Sequence, residues 1–150
     1  MRLPPRPGFV DSDRVPAYIS HTSVDCTNAY ELSEWWKRVL GYVDVADDPN
    51  EPGHEECMIL SPETGHHLLF IEVPETKQVK NRIHFDIRPG ERSQADEVEH
   101  LKGLGAREIA DHRGIYGEGS GWVTFADPEG NEFCVLHSEA ERAAARSADS

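Results

Sequence analysis

No stretch of this chain is long and apolar enough to span a bilayer. The opening Met1-Arg2-Leu3-Pro4-Pro5-Arg6-Pro7-Gly8 has charge without the apolar centre of a secretory signal, so a cytoplasmic protein is the expectation. Cysteine is scarce. Cys26, Cys57 and Cys134 are too few, and of the wrong parity, for a disulfide framework, and they lack the spacing of a metal knuckle. Positive charge is scarce as well: 15 Lys and Arg stand against 28 Asp and Glu, a formal charge of −13. That excludes the basic surface through which proteins hold nucleic acid or anionic membranes. What remains is 150 residues, 37% of them apolar, enough for one well-buried core.

Within that core one pattern occurs twice. Ser61-Pro62-Glu63-Thr64-Gly65 leads into the apolar run Leu68 to Glu72, and Asp127-Pro128-Glu129-Gly130 leads into Phe133 to Leu136. Proline presets one backbone angle and glycine accepts the left-handed one, so each stretch reads as a hairpin turn. Turn chemistry does not explain why the same hairpin recurs, whereas duplication does. The surrounding elements recur in the same order. Tyr18 to Asp25 reads as a strand. A helix follows, with Thr27 or Asn28 as N-cap, Leu32, Trp35, Trp36, Val39 and Leu40 as core candidates, and Gly41 as stop. Later, Arg82 to Ile87 alternates polar and apolar, Ser93 with Asp96 resembles a capping box, and Gly105 ends the second helix. Of the tryptophan pair, one is expected in the core and the other at a dimer contact or the surface.

The fold class expected is therefore α+β: two βαβββ modules, residues 17–75 and 80–137, forming a cupped mixed sheet around a cavity. A proline-rich arm over residues 1–16 and a tail over residues 138–150, a frayed helix or disordered, flank them.

This order, the His in Ile19-Ser20-His21-Thr22-Ser23-Val24-Asp25, the helix end Trp35 to Tyr42 and the hairpin Phe125 to Leu136 resemble the vicinal oxygen chelate superfamily of glyoxalases, bleomycin-resistance proteins and extradiol dioxygenases. The resemblance covers roughly residues 17–137. It implies paired modules around a cup, a homodimer and a small-molecule ligand, and it leaves the reaction open.

Strand alternation sorts the side chains. Ile83, Phe85 and Ile87 are expected to face the helix layer. His21, Asp25, His67, Arg82, His84, Asp86, Glu132 and Cys134 are expected on the concave face. His84, Asp86 and His21 are the candidates for proton transfer, and Arg82 is the candidate for holding an oxyanion, its alternative being a plain ion pair with Asp25, Asp86 or Glu132. Cys134 reads as a buried thiol before it reads as a nucleophile. The glycine-rich loop Arg113 to Gly121 reads either as a lid, with Tyr116 and Trp122 against the ligand, or as a plain long hairpin loop.

Metal-dependent members of the superfamily, by resemblance, take ligands from the first and last strand of each module. Mapped here, those positions are His21, Arg82, Leu69 and Cys134, of which only His21 suits a hard divalent ion. The family's metal site is therefore expected to be absent, with His21, His84 and Glu132 left as a non-standard divalent-ion set. Two functions lead, ahead of a protein-interaction module whose cup is filled by its own side chains. The first is acid–base lyase or isomerase chemistry on a small organic molecule. The second is non-catalytic sequestration of a drug or metabolite, as in bleomycin resistance.

Overall fold

The computed structural model describes residues 15–148, so the expected arm over 1–16 lies, all but its last two residues, outside the described residues. Among the described residues no helix is long and apolar enough to cross a membrane. Module one runs β1 (Thr22–Cys26), α1 (Ala29–Leu40), β2 (Val43–Asp44), β3 (Glu56–Leu60) and β4 (His67–Glu72). Module two runs β5 (Phe85–Ile87), α2 (Gln94–Gly103), β6 (Arg107–Asp111), β7 (Val123–Ala126) and β8 (Glu132–Val135), and α3 (Glu139–Ala148) follows. The strand orders β1-β4-β3-β2 and β5-β8-β7-β6 are the same arrangement twice, with one parallel pair in each sheet. The fold is α+β, two βαβββ modules with a mixed four-stranded sheet apiece.

Local chemistry sets the boundaries. The Asn28 side chain accepts the Glu31 N–H at 3.0 Å and opens α1, and the Ser93 hydroxyl accepts the Asp96 N–H at 3.1 Å and opens α2. Both hairpin turns use one device. The Ser61 hydroxyl accepts from the backbone N–H groups of Glu63 and Thr64, and the Asp127 carboxylate accepts from those of Glu129 and Asn131. Gly65 and Gly130 follow at φ 77° and 88°, values that side chains bearing a Cβ resist. The first turn is one residue longer, Thr64 being the addition.

The core is shared between the modules. Helix α1 packs on β3 and β4 of its own sheet. Its Trp36 ring also lies 4.9 Å from Phe133 and 5.7 Å from Phe85, on the apolar face of the second sheet. Trp35 meets Phe133 at 6.0 Å and donates its indole N–H to the Leu104 carbonyl at the end of α2. Both tryptophans are buried, at 3% and 1% exposure, which corrects the assignment of one of them to the surface. The reason is that α1 serves two sheets, so a stripe that one sheet would half-cover is covered on both flanks.

Module two also grips module one through polar groups. Glu129, in the second hairpin turn, accepts the backbone N–H groups of Thr27 (2.6 Å) and Asn28 (3.0 Å) where α1 begins. Asp127 accepts the Trp36 indole N–H at 3.1 Å. At the other end of module two, Glu141 of α3 accepts the Gln94 N–H at 2.7 Å and the Ser138 N–H at 2.9 Å. That seats α3, which buries none of its residues, against the start of α2.

Candidate functional site

With both apolar faces turned toward α1, the polar faces of the two sheets point away from it. On the second sheet this leaves a hollow of about 410 Å³ walled by Lys80, His84, Asp86, His112, Trp122, Thr124, Glu132, Cys134 and Leu136. Register explains the convergence. Asp86 pairs with Cys134 and Cys134 with Thr124, so the three side chains form one row across β5, β8 and β7. His84 precedes that row, and its Nδ1 lies 3.1 Å from the Asp86 carboxylate. Trp122 and His112 close the far side, rings 5.0 Å apart.

Charges inside the hollow are mostly committed. Glu132 is an ion-pair partner of Lys77 (3.0 Å) and accepts the Asn81 N–H at 3.1 Å. Burial works to raise its carboxyl, but the Asn81 and Lys77 bonds outweigh this and hold it below the usual range. Burial pushes the Cys134 thiol up, with the nearby Asp86 carboxylate adding to that and the Thr124 hydroxyl, 3.5 Å away, opposing it. The thiol is therefore protonated at neutral pH and is not a ready nucleophile. Among the described residues, His84, Asp86 and Cys134 offer three donor atoms within 4.8 Å of one another, the set that could hold a metal ion.

A second and larger space, a cleft of about 600 Å³, lies between the modules. Its lining includes Asp25, Glu75, Lys77, His84, Glu129 and Glu132. The residues expected on one concave face are thus divided. His84, Asp86, Glu132, Cys134 and Trp122 meet in the hollow, and Asp25 lies in the cleft, which His84 and Glu132 also reach. His21, exposed and bonded to the Ser20 hydroxyl, lines neither space. His67, whose Nδ1 is bonded to the Gly65 carbonyl at 2.7 Å, lines neither as well. His21 precedes β1, and His67 is the first residue of β4, next to the hairpin turn.

Arg82 is corrected to an exposed linker position, because β5 begins only at Phe85 and the alternation read from Arg82 onward has no strand beneath it. Ile83 is likewise 84% exposed, not in the core. Tyr116 stands 77% exposed on its loop, 6.3 Å from the Trp122 ring and outside the hollow. That loop is closed on itself: Gly114 N–H reaches the Ser120 carbonyl, and the Ser120 hydroxyl accepts the Tyr116 N–H.

The sequence reading missed Lys80, His112 and Thr124. Thr124 was within reach, since it alternates with the apolar Val123 and Phe125 in what is now β7. His112 and Lys80 sit on loops, where alternation says nothing. The module alignment also shifts. Ser23 pairs with Leu69 and Asp86 with Cys134, and Leu69 and Cys134 each stand four residues past a turn glycine. Ser23 is therefore equivalent to Asp86, and His21 to His84 in place of Arg82.

A family model for the glyoxalase-like domain matches residues 21–136. No curated protein matches the sequence. Among solved structures, a mutant of the fosfomycin resistance protein FosX from Listeria monocytogenes, complexed with Mn(II) and 1S,2S-dihydroxypropylphosphonic acid, superposes with a TM-score of 0.63. It is 15% identical, over 89% of this chain and 99% of that one. FosX from Mesorhizobium loti (TM-score 0.58, 14% identity, 87% and 99% covered) and a possible glyoxalase from Bacillus cereus (0.57, 15%, 81% and 99%) share the fold. With the repeated module, the shared turn device and the match over residues 21–136, the chain belongs to the glyoxalase-like domain family of the vicinal oxygen chelate superfamily.

Proposed function

We propose that residues 17–137 form a binding domain for a small organic molecule, and that His84 acts on it as a general base in lyase or isomerase chemistry. The observation that carries this is the His84–Asp86 pair, 3.1 Å apart, opening on a hollow walled by Trp122 and Leu136. Asp86 fixes the proton on Nδ1, which leaves Nε2 as the acceptor for a substrate proton. Lys80 supplies a cation for an acidic or carbonyl end of the ligand, and the Thr124 hydroxyl supplies a donor. The ring wall takes the carbon skeleton. Three unpaired thiols fit a reducing, cytoplasmic setting.

The superfamily implies a divalent ion, and FosX was crystallised with Mn(II). The donor set here does not fit that ion. Where a carboxylate would stand, four residues past each turn glycine, the chain has Leu69 and Cys134, and a thiol suits Mn(II) poorly. No step of the proposed chemistry runs through it.

The test is turnover over a panel of small carbonyl and phosphonate compounds. His84→Ala is expected to lower kcat/KM by roughly 10²–10⁴-fold, and Asp86→Asn is expected to lower it while shifting the pH profile. Turnover unchanged in both variants would sink the reading.

A second reading rests on the ring pair Trp122 and His112 in the wall of the hollow, with Tyr116 beyond it, which favours a flat ligand held and released unchanged. Stoichiometric protection of a basic aromatic drug without product would select it. In either case a homodimer is the proposed functional unit: every residue lining the hollow belongs to module two or the linker, which leaves the first module of a second copy free to face it.

A further inference from the structure

We infer that His137 and Gln94, drawn together by Glu141 of α3, are positioning residues for the ring wall of the hollow. This rests on the reading of the hollow as the ligand site. It assigns a task to a helix that lies beyond residue 136, where the match to the family model ends.

The wall is Trp122 and His112, and the loop between them must be held for the rings to stay in place. His112 donates its backbone N–H to the Trp122 carbonyl at 2.8 Å, which closes the loop at its base. The two residues before Trp122 are then fixed from outside the loop. The Gly121 carbonyl accepts from the Gln94 side-chain amide at 3.3 Å, and the Ser120 carbonyl lies 3.3 Å from Nε2 of His137. Gln94 is 2% exposed and gives a second bond, 3.1 Å, to the Val135 carbonyl. It thereby ties the loop to β8, the strand that brings Cys134 to the hollow.

Glu141 joins the two braces. Its Oε1 accepts the backbone N–H groups of Gln94 and Ser138, and its Oε2 lies 3.4 Å from Nδ1 of His137. Burial works to raise this carboxyl, but those bonds outweigh it and hold it below the usual range. The His137 ring thus spans two acceptors, the Glu141 carboxylate and the Ser120 carbonyl. A neutral ring donates to one of them, and a protonated ring donates to both. Helix α3 meets the loop again one turn later, where a Cβ on Gly119 would stand 3.7 Å from the Ala145 methyl. Arg88, just past β5, fastens the start of α3 through Glu139 (3.2 Å) and the His137 carbonyl. The His84–Asp86 pair takes no part in these contacts, so loosening the brace widens the ring wall and leaves the proton-transfer groups where they are.

Full-length His137→Leu tests this, beside His137→Gln, whose amide can still donate to Ser120. Trp35 and Trp36 are buried, so acrylamide quenching of tryptophan fluorescence reads Trp122. His137→Leu is expected to increase that quenching and to speed hydrogen exchange at the Gly114 and His112 N–H groups about tenfold, with circular dichroism unchanged. His137→Gln is expected to restore most of both. On a compound turned over in the carbonyl and phosphonate panel, His137→Leu should raise KM about two- to tenfold and leave kcat unchanged. Quenching and exchange unchanged in His137→Leu, no rescue by His137→Gln, or a fall in kcat with KM unchanged would each overturn the proposal. Absence of turnover throughout the panel sinks the acid–base reading instead, and quenching and exchange then decide the brace by themselves.

Discussion

Asp127 is 4% exposed, yet both its carboxylate oxygens are occupied. Oδ1 accepts from the backbone of Glu129 and Asn131 and from the Asn131 side chain, and Oδ2 accepts from that side chain and from the Trp36 indole. Burial drives its carboxyl above the ordinary range, while these bonds pull it back. One residue thereby shapes the second turn and ties it to α1 of the other module. Trp36→Phe keeps most of the ring packing and removes one donor from a buried carboxylate. It is expected to cost about 2–4 kcal/mol in urea unfolding. A loss below about 0.5 kcal/mol, the level of ordinary surface changes, would mean that the bond contributes nothing. Cys26 illustrates the other effect of burial: desolvation first, then the Glu129 and Glu72 carboxylates, push its thiol up to about 12, so it is inert at neutral pH.

Helices, strands and loops differ in how far they could be read from the chain. The loop between β6 and β7 turns on Gly121, at φ 90°, where a Cβ would run into the His112 carbonyl. Gly117 in the same loop has φ 113° and open space around it. Gly117→Ala is expected to cost only backbone strain, about 1 kcal/mol, whereas Gly121→Ala adds a backbone clash and costs about 3 kcal/mol or more. Melting temperatures of the two variants check this, and equal shifts would refute it. The caps at Asn28 and Ser93 and both Pro-Glu-Gly turns were legible because their partners lie within four residues. The alignment of β1 with β5 was not. Each strand is fixed by a partner more than forty residues downstream, and a polar–apolar alternation that begins at Arg82 looks the same whether or not a strand lies beneath it. The same limit hid which spaces His21, Asp25 and His67 would reach, since alternation assigns a face but not what that face meets.

For the molecule as a whole, exposed apolar side chains stand before β1, in the linker and on the loop between β6 and β7. Tyr18 and Ile19 before β1, and Val79 and Ile83 in the linker, are 78–88% exposed. Met58, Leu69 and Ile71 form a partly covered patch on the outer face of the first sheet, beside Ser23 and Asp25. In the proposed dimer, a second copy of the chain laying its first sheet over the hollow of the second would cover this surface. Sedimentation at micromolar concentration is expected to give a dimer, and Leu69→Lys is expected to shift it toward monomer while the circular dichroism stays unchanged. A monomer in the unaltered protein would remove the dimer from the account.

The grip of Glu129 on the start of α1 has a consequence for how divisible the chain is. The repeat invites the view that each half is a unit that could stand alone. Yet the first half begins its helix on a carboxylate supplied by the second, and the aromatic face of the second is roofed by tryptophans supplied by the first. Severed at the linker, each piece would lack something that only its counterpart supplies. The two halves are templates for one another, and the duplication visible in the chain has long since become interdependence.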